Sequence, residues 1–161
     1  MDDFSEAVVA GIWYADGTFG FEVSPKMNHI LPRLSIANND LGLLTFVGSV
    51  WESFNYSVTA HELREGKWEV KLGVFSDLVK FAKVVLSFPG DGKKRQQLEI
   101  FLEEFVPIYE GRAGEWRGRG RVWSKAEFLK AMEVVDKIAS LKSGKGVKRK
   151  YSKDYFVVFD S

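Results

Sequence analysis

Apolar residues first recur at helical spacing near the N-terminus, where Val8, Val9, Ile12 and Trp13 predict a helix over residues 4–15. Gly17-Thr18 breaks that period. Phe19, Phe21 and Val23 then alternate with Gly20, Glu22 and Ser24, the period of two of a half-buried strand. After a turn near Met27-Asn28-His29, a second strand puts Leu34 and Ile36 on one face and Arg33 and Ser35 on the other. Asp40 is placed to cap a helix in which Leu43, Leu44, Val47, Val50, Trp51 and Phe54 recur at helical spacing. Strands at about 56–63 and 67–74 follow, joined by Arg64-Glu65-Gly66, with Trp68, Val70, Leu72 and Val74 alternating with Lys67, Glu69 and Lys71. Ser76 is the expected cap of a helix reaching Leu86, and Pro89-Gly90-Asp91-Gly92 is a turn. A further helix is expected from Lys93 to Phe105 and a Gly/Arg loop from Gly111 to Arg121. Ser124-Lys125-Ala126-Glu127 is a capping box that opens a last helix to about Leu141.

Helix, hairpin, helix, hairpin, then three helices make an α+β domain: four antiparallel strands with helices packed on one face. The other face collects Glu22, Ser24, Lys26, Arg33, Ser35, Thr59, His61, Glu69 and Lys71. Such a face is either simply solvated or suited to reading base edges in a DNA groove, and the pattern leaves both open.

At 161 residues the chain is long enough for one domain with a real core. It lacks cysteine, which excludes disulfides, thiolate metal sites and thiol nucleophiles. No apolar run of about 18 residues indicates a membrane span, and Met1-Asp2-Asp3 does not begin a secretory signal. The expectation is an intracellular, non-secreted protein, in cytoplasm or wherever DNA is kept, with no membrane partner and no small-molecule cofactor. A net charge of +1 hides an asymmetry. Between Arg112 and Lys153 lie thirteen Lys or Arg against four acids, about +9, leaving about −8 for the remainder. That segment is either a surface for a polyanion or a solvated tail.

Ala7, Gly11 and Ala15 share one face of the first helix. A glycine inside a helix costs roughly 1 kcal/mol, which close approach of another helix would offset. The partner is either a helix of the same chain or the same helix of a second copy across a two-fold axis. Asp16 then falls at the helix C-terminus, where the macrodipole disfavours a carboxylate. A metal ion would neutralise it together with the carbonyls of the last turn, and a two-fold contact would pair two such aspartates.

Val9-Ala10-Gly11-Ile12-Trp13-Tyr14-Ala15-Asp16-Gly17 resembles the LAGLIDADG motif of homing endonucleases. Ala10, Gly11, Ala15, Asp16 and Gly17 match it outright, Val9 and Ile12 are conservative, and Trp13 and Tyr14 depart from it. Tyr14 stands for the motif's first aspartate, which is not its essential metal ligand. The element order also resembles the family along nearly the whole chain, with one motif copy as in its homodimeric members.

The resemblance implies an αββαββα fold with a four-stranded antiparallel saddle sheet, spanning residues 1–161 as a single endonuclease domain. It implies a homodimer on a long, nearly palindromic double-stranded DNA site, with Mg²⁺ (or Mn²⁺) cleaving both strands by phosphodiester hydrolysis. Carried onto this chain, Asp16 and the Ala15 backbone would hold metal. Asn38 would order water at the scissile phosphate, with Asn39 one step away, and Lys93 or Lys94 would act electrostatically. A basic residue frequent in the family's second helix is missing, because Gly42 falls there. An Asx cap for Asn38 and a solvated turn for Lys93-Lys94 are the competing readings. The dimer contact would use Ala7, Ala10, Gly11 and Tyr14. DNA contacts would come from Glu22, Ser24, Lys26, Asn28, Arg33, Ser35, Thr59, His61, Lys67, Glu69 and Lys71, with Arg117, Arg119, Lys142 and Lys148 on phosphates.

Two other classes compete. A DNA-binding protein of the same fold without cleavage would serve as a regulator or splicing cofactor, and a small-ligand or protein-binding module is opposed by the +9 segment. Gly90-Asp91-Gly92-Lys93-Lys94 lacks the first glycine and the Ser/Thr of a P-loop, and His29 and His61 have no metal-site spacing.

Overall fold

Gly17 is where helix gives way to strand. In the computed structural model, which describes residues 3–24, 29–112, 123–141 and 152–153, α1 (Asp3–Asp16) passes directly into β1 (Gly17–Ser24). β2 (His29–Asn38), α2 (Leu41–Ser53), β3 (Val58–Arg64), β4 (Lys67–Leu72) and α3 (Phe75–Leu86) follow. The chain then continues through α4 (Lys93–Ile100), a wide helical turn at Phe101–Phe105, α5 (Val106–Glu110) and α6 (Lys125–Ser140). The strands form one four-stranded sheet in the order β1-β2-β4-β3. This is the expected α+β architecture. No helix of the described residues is long and apolar enough to cross a membrane.

Residues 1–20 and 32–90 form one compact unit, and residues 21–31 with 91–161 form another. In the first, Phe81 of α3 gathers three rings edge-on: Trp51 at 5.4 Å, Tyr56 at 6.3 Å and Trp13 at 6.4 Å. Such pairs contribute about 0.5–1.5 kcal/mol each beyond the area they bury. Val9, Leu34, Ile36, Leu44, Val47, Leu72 and Leu78 complete this core, each at most 1 % exposed. Burial holds the Tyr56 hydroxyl well above the usual phenol range, and the carboxylates of Glu6 and Asp77 push it the same way. In the second unit Phe101, Phe105, Phe128 and Met132 are fully buried, Phe21 packs 4.9 Å from Phe105, and buried Gln97 donates to the Ile138 carbonyl at 3.3 Å.

Two helix boundaries differ from the sequence pattern. α3 starts at Phe75 with Val74 as its cap, and Ser76 lies inside the helix rather than capping it. Asp77 takes over the N-terminal carboxylate role and accepts from the Ser57 amide at 2.8 Å, where the macrodipole favours a negative charge. The helix expected to stop at Phe105 instead runs on to Glu110. Pro107 would ordinarily break it, because its ring clashes with the carbonyl four residues back. The preceding turn is widened to i→i+5 bonding, with the Val106 amide donating to the Phe101 carbonyl, and the chain passes the proline in helical form. Asp40 and Ser124 cap as expected: Leu43 N–H donates to Asp40 Oδ1 at 3.1 Å, and both bonds of the Ser124–Glu127 capping box are made.

Candidate functional site

α1 buries Val9, Ala10 and Trp13 and leaves Phe4, Gly11, Ala15 and Asp16 outside. Among the described residues nothing lies within 4 Å of where a Cβ on Gly11 would stand, so the small-residue face is open at this position. Ala7 and Tyr14 are half-buried at its margins. Ala10, expected at a dimer contact, is 3 % exposed and belongs to the core of its own unit. The exposed edge of the helix runs instead through Phe4, Gly11 and Ala15, the i, i+7, i+11 spacing of one stripe.

Asp16 ends this stripe. Its side chain is exposed and makes no hydrogen bond or ion pair among the described residues. The helix stops there, which sets the Ala15 and Asp16 carbonyls at its C-terminal end, the negative end of the macrodipole. The junction beyond is tightly built. Trp13 Nε1 donates to the Thr18 carbonyl at 3.3 Å, and Thr18 Oγ1 lies 2.9 Å from Ser35 Oγ. Among the described residues no group of three or more His, Cys, Asp or Glu comes together. One chain therefore offers a single carboxylate and backbone oxygens, a hard, oxygen-only set. That set fits Mg²⁺ or Mn²⁺, which bind through one or two carboxylates and keep waters or substrate oxygens for the remaining positions.

Asn38 ends β2, half-buried, and its Oδ1 accepts from the Asp40 amide at 2.8 Å. The side chain thus caps locally, as an Asx turn does, and keeps its amide nitrogen as a donor. In the other unit, Lys93 is exposed and Lys94 half-buried in the first turn of α4. With Arg95 they place three cations at the end where the macrodipole favours anions, and Gly92 supplies no side-chain cap. Arg95 is offset by Glu99 at 3.1 Å.

Strand register sorts the polar face. Ser35 and Thr59 both stand opposite Lys71, Ala37 and His61 both stand opposite Glu69, and Arg64 stands opposite Lys67. Residues directly opposite share a face, so Thr59, His61, Arg64, Lys67, Glu69 and Lys71 form one charged surface. Within it His61 Nε2 lies 3.3 Å from Glu69 Oε1. The opposite face holds Leu34, Ile36, Val70 and Leu72, all buried. Ser35 differs from expectation, for it is 9 % exposed and engaged with Thr18 rather than open to a ligand. Arg33, half-buried, and Glu22, exposed, each make further contacts, and Ser24 is half-buried.

One member of this surface escaped the sequence pattern: Arg64, because a bulge between Glu62 and Arg64 shifts the register and brings Arg64 opposite Lys67. Lys26, Asn28, Arg117, Arg119, Lys142 and Lys148 lie outside the described residues. At the chain's far end Lys153 pairs with Glu133 at 3.0 Å, and its amide donates to Asp136 at 2.9 Å.

No protein-family model matches the chain, and no curated protein matches it. Solved structures do. The homing endonuclease I-CvuI, in complex with its target in the presence of calcium, is similar over 97 % of this chain and 92 % of its own, at 14 % identity and a TM-score of 0.74. The archaeal intron-encoded homing endonuclease I-Vdi141I, complexed with DNA, is similar over 98 % of this chain and 95 % of its own, at 15 % identity and a TM-score of 0.72. The LAGLIDADG homing endonuclease I-SmaMI, bound to cleaved DNA, is similar over 99 % of this chain but only 48 % of its own, at 13 % identity and a TM-score of 0.60.

Proposed function

We propose that this chain is a site-specific, metal-dependent DNA endonuclease that works as a homodimer on a long, near-palindromic duplex. The observation that carries the reading is Asp16: an exposed, unengaged carboxylate at the negative end of a helix whose small-residue stripe is open. Alone, such a placement is unfavourable. Two copies meeting on Gly11 and Ala15 would bring two Asp16 carboxylates together, and cations and DNA phosphates would offset their repulsion. The likeness to nucleases complexed with DNA supports the same assignment, as does the match to about half the length of I-SmaMI, which is bound to cleaved DNA.

When bound, Mg²⁺ or Mn²⁺ supplies activation of water and charge stabilisation at the phosphoryl oxygens. Asp16 and the Ala15 carbonyl would hold the ion. Asn38, with Oδ1 already engaged by Asp40, turns its amide nitrogen to water near the scissile phosphate. Lys93 and Lys94 are the candidates for electrostatic assistance. Thr59, His61, Arg64, Lys67, Glu69 and Lys71 face the bases, with Arg33, Glu22, Ser24, Lys26 and Asn28 as further contacts. Arg117, Arg119, Lys142 and Lys148 anchor phosphates and set the salt dependence. The protein would act wherever its DNA target is kept, inside the cell.

Asp16→Asn keeps the size of the side chain and removes its charge. With Mg²⁺, cleavage should fall to background, while binding measured with Ca²⁺ should survive or tighten. A variant that cuts at near wild-type rate would remove Asp16 from the mechanism. If the wild type binds duplex DNA but neither nicks nor cuts it in Mg²⁺ or Mn²⁺, the chain is a non-cleaving DNA-binding protein of the same fold.

A further inference from the structure

Asp16 has no side-chain partner among the described residues, so its position is inherited from the backbone that carries it. That backbone is gripped from two sides. A Cβ on Gly17 would collide with Trp13 Cδ1 and Nε1, so the indole lies against the bare Cα and only glycine fits beneath it. The same indole donates to the Thr18 carbonyl at 3.3 Å, and its ring meets Phe81 edge-on at 6.4 Å. On the strand side, the Thr18 and Ser35 hydroxyls share a hydrogen bond of 2.9 Å. Trp13 is 0 % exposed, a large rigid side chain with little freedom to move.

We propose that Trp13 is a positioning residue for the metal ligand: it locks the Asp16-Gly17-Thr18 junction through Gly17 and the Thr18 carbonyl, and so presents Asp16 in one geometry. This rests on the metal-binding reading of Asp16. The indole supplies what an aliphatic side chain at this place cannot, an N–H that reaches the chain two residues beyond Asp16. It acts as groups behind a metal ligand do, where loss of the support typically weakens metal binding or activity about 10- to 100-fold.

The test measures Mn²⁺ binding to the protein–duplex complex by the paramagnetic resonance of the free ion, with Asp16→Asn defining the background. Trp13→Phe keeps a ring against Phe81 and loses the N–H; Trp13→Leu also opens space over Gly17. The expected result is that Trp13→Phe stays folded and binds duplex in Ca²⁺ like the wild type. Its Asp16-dependent Mn²⁺ affinity, and the Mg²⁺ concentration for half-maximal cleavage, should be worse by about 10-fold. The close approach has its own signature: Gly17→Ala should be strongly destabilising alone and partly rescued by Trp13→Leu, as melting temperatures would read. A folded Trp13→Phe variant with wild-type Mn²⁺ affinity and Mg²⁺ dependence overturns the positioning role and leaves Asp16 as ligand. Wild-type Mn²⁺ binding by Asp16→Asn overturns the metal reading itself and this inference with it.

Discussion

His61 on β3 and Glu69 on β4 stand directly opposite one another, with Nε2 3.3 Å from Oε1. The side chains are 40 % and 20 % exposed, so this cross-strand pair sits on the surface and contributes little to stability. What it holds is a donor and an acceptor side by side on the polar face, flanked by Lys67 and Lys71. His61→Ala should therefore change which base pairs are tolerated at one position of the site, by about 1–3 kcal/mol of discrimination. Arg119→Ala should weaken binding to every sequence alike. Selection from a randomised duplex library reads both, and an equal, sequence-independent loss for His61→Ala would move it from the reading surface to the anchoring one.

Gly11→Leu tests the proposed dimer. The added side chain has open space among the described residues, so the monomer fold should tolerate it. Between two close helices the same atoms should cost at least the ~1–3 kcal/mol of an overpacked contact. Sedimentation should show monomers with near-normal melting temperature and no double-strand cleavage. A native protein that sediments as a monomer yet cuts both strands in one encounter would remove the two-fold arrangement.

Tyr56 gives a pH dependence. Its hydroxyl is buried with no hydrogen-bond partner among the described residues, and burial, then Glu6 and Asp77, raise its pKa. In the unfolded chain the phenol ionises near its ordinary value of about 10. The folded state therefore holds its proton to higher pH than the unfolded one, and stability present below that value is lost as pH rises above it. Tyr56→Phe should flatten the fall in urea midpoint above about pH 10. At neutral pH it should be neutral or mildly stabilising, since an unsatisfied buried hydroxyl is removed. A clear loss of stability at pH 7 would mean that the hydroxyl has a partner.

Ser124→Ala removes a formed capping box from the N-terminus of α6, leaving the Glu127 amide without its side-chain acceptor. The expected cost is about 1 kcal/mol in urea unfolding. Ser76→Ala should be near neutral by the same measurement, because Ser76 is not the cap of α3.

Local rules were enough for most elements. The change from a period near 3.6 to a period of 2 at Gly17, the Asp40 cap and the Ser124–Glu127 box depend on residues within a turn of one another, and each appears where the pattern put it. The place of Asp16 at the end of α1 was legible for the same reason, and a carboxylate there conflicts with the macrodipole wherever the helix packs. Other features were decided by groups far apart in sequence. Ser76 lies inside α3, and the first-turn carboxylate there, Asp77, accepts from the Ser57 amide twenty residues earlier. Ser35 alternates as a surface residue should, yet Thr18 from another strand covers it. Ala10 and Gly11 are both small and adjacent, but only packing against the core decided that one is buried and the other open. The alignment of His61 with Glu69, and of Arg64 with Lys67 past a bulge, exists only once β3 and β4 have paired. Periodicity assigns each residue to a face of its own element; which neighbour covers that face is settled by contacts between elements, and those form only when the chain has closed its loops.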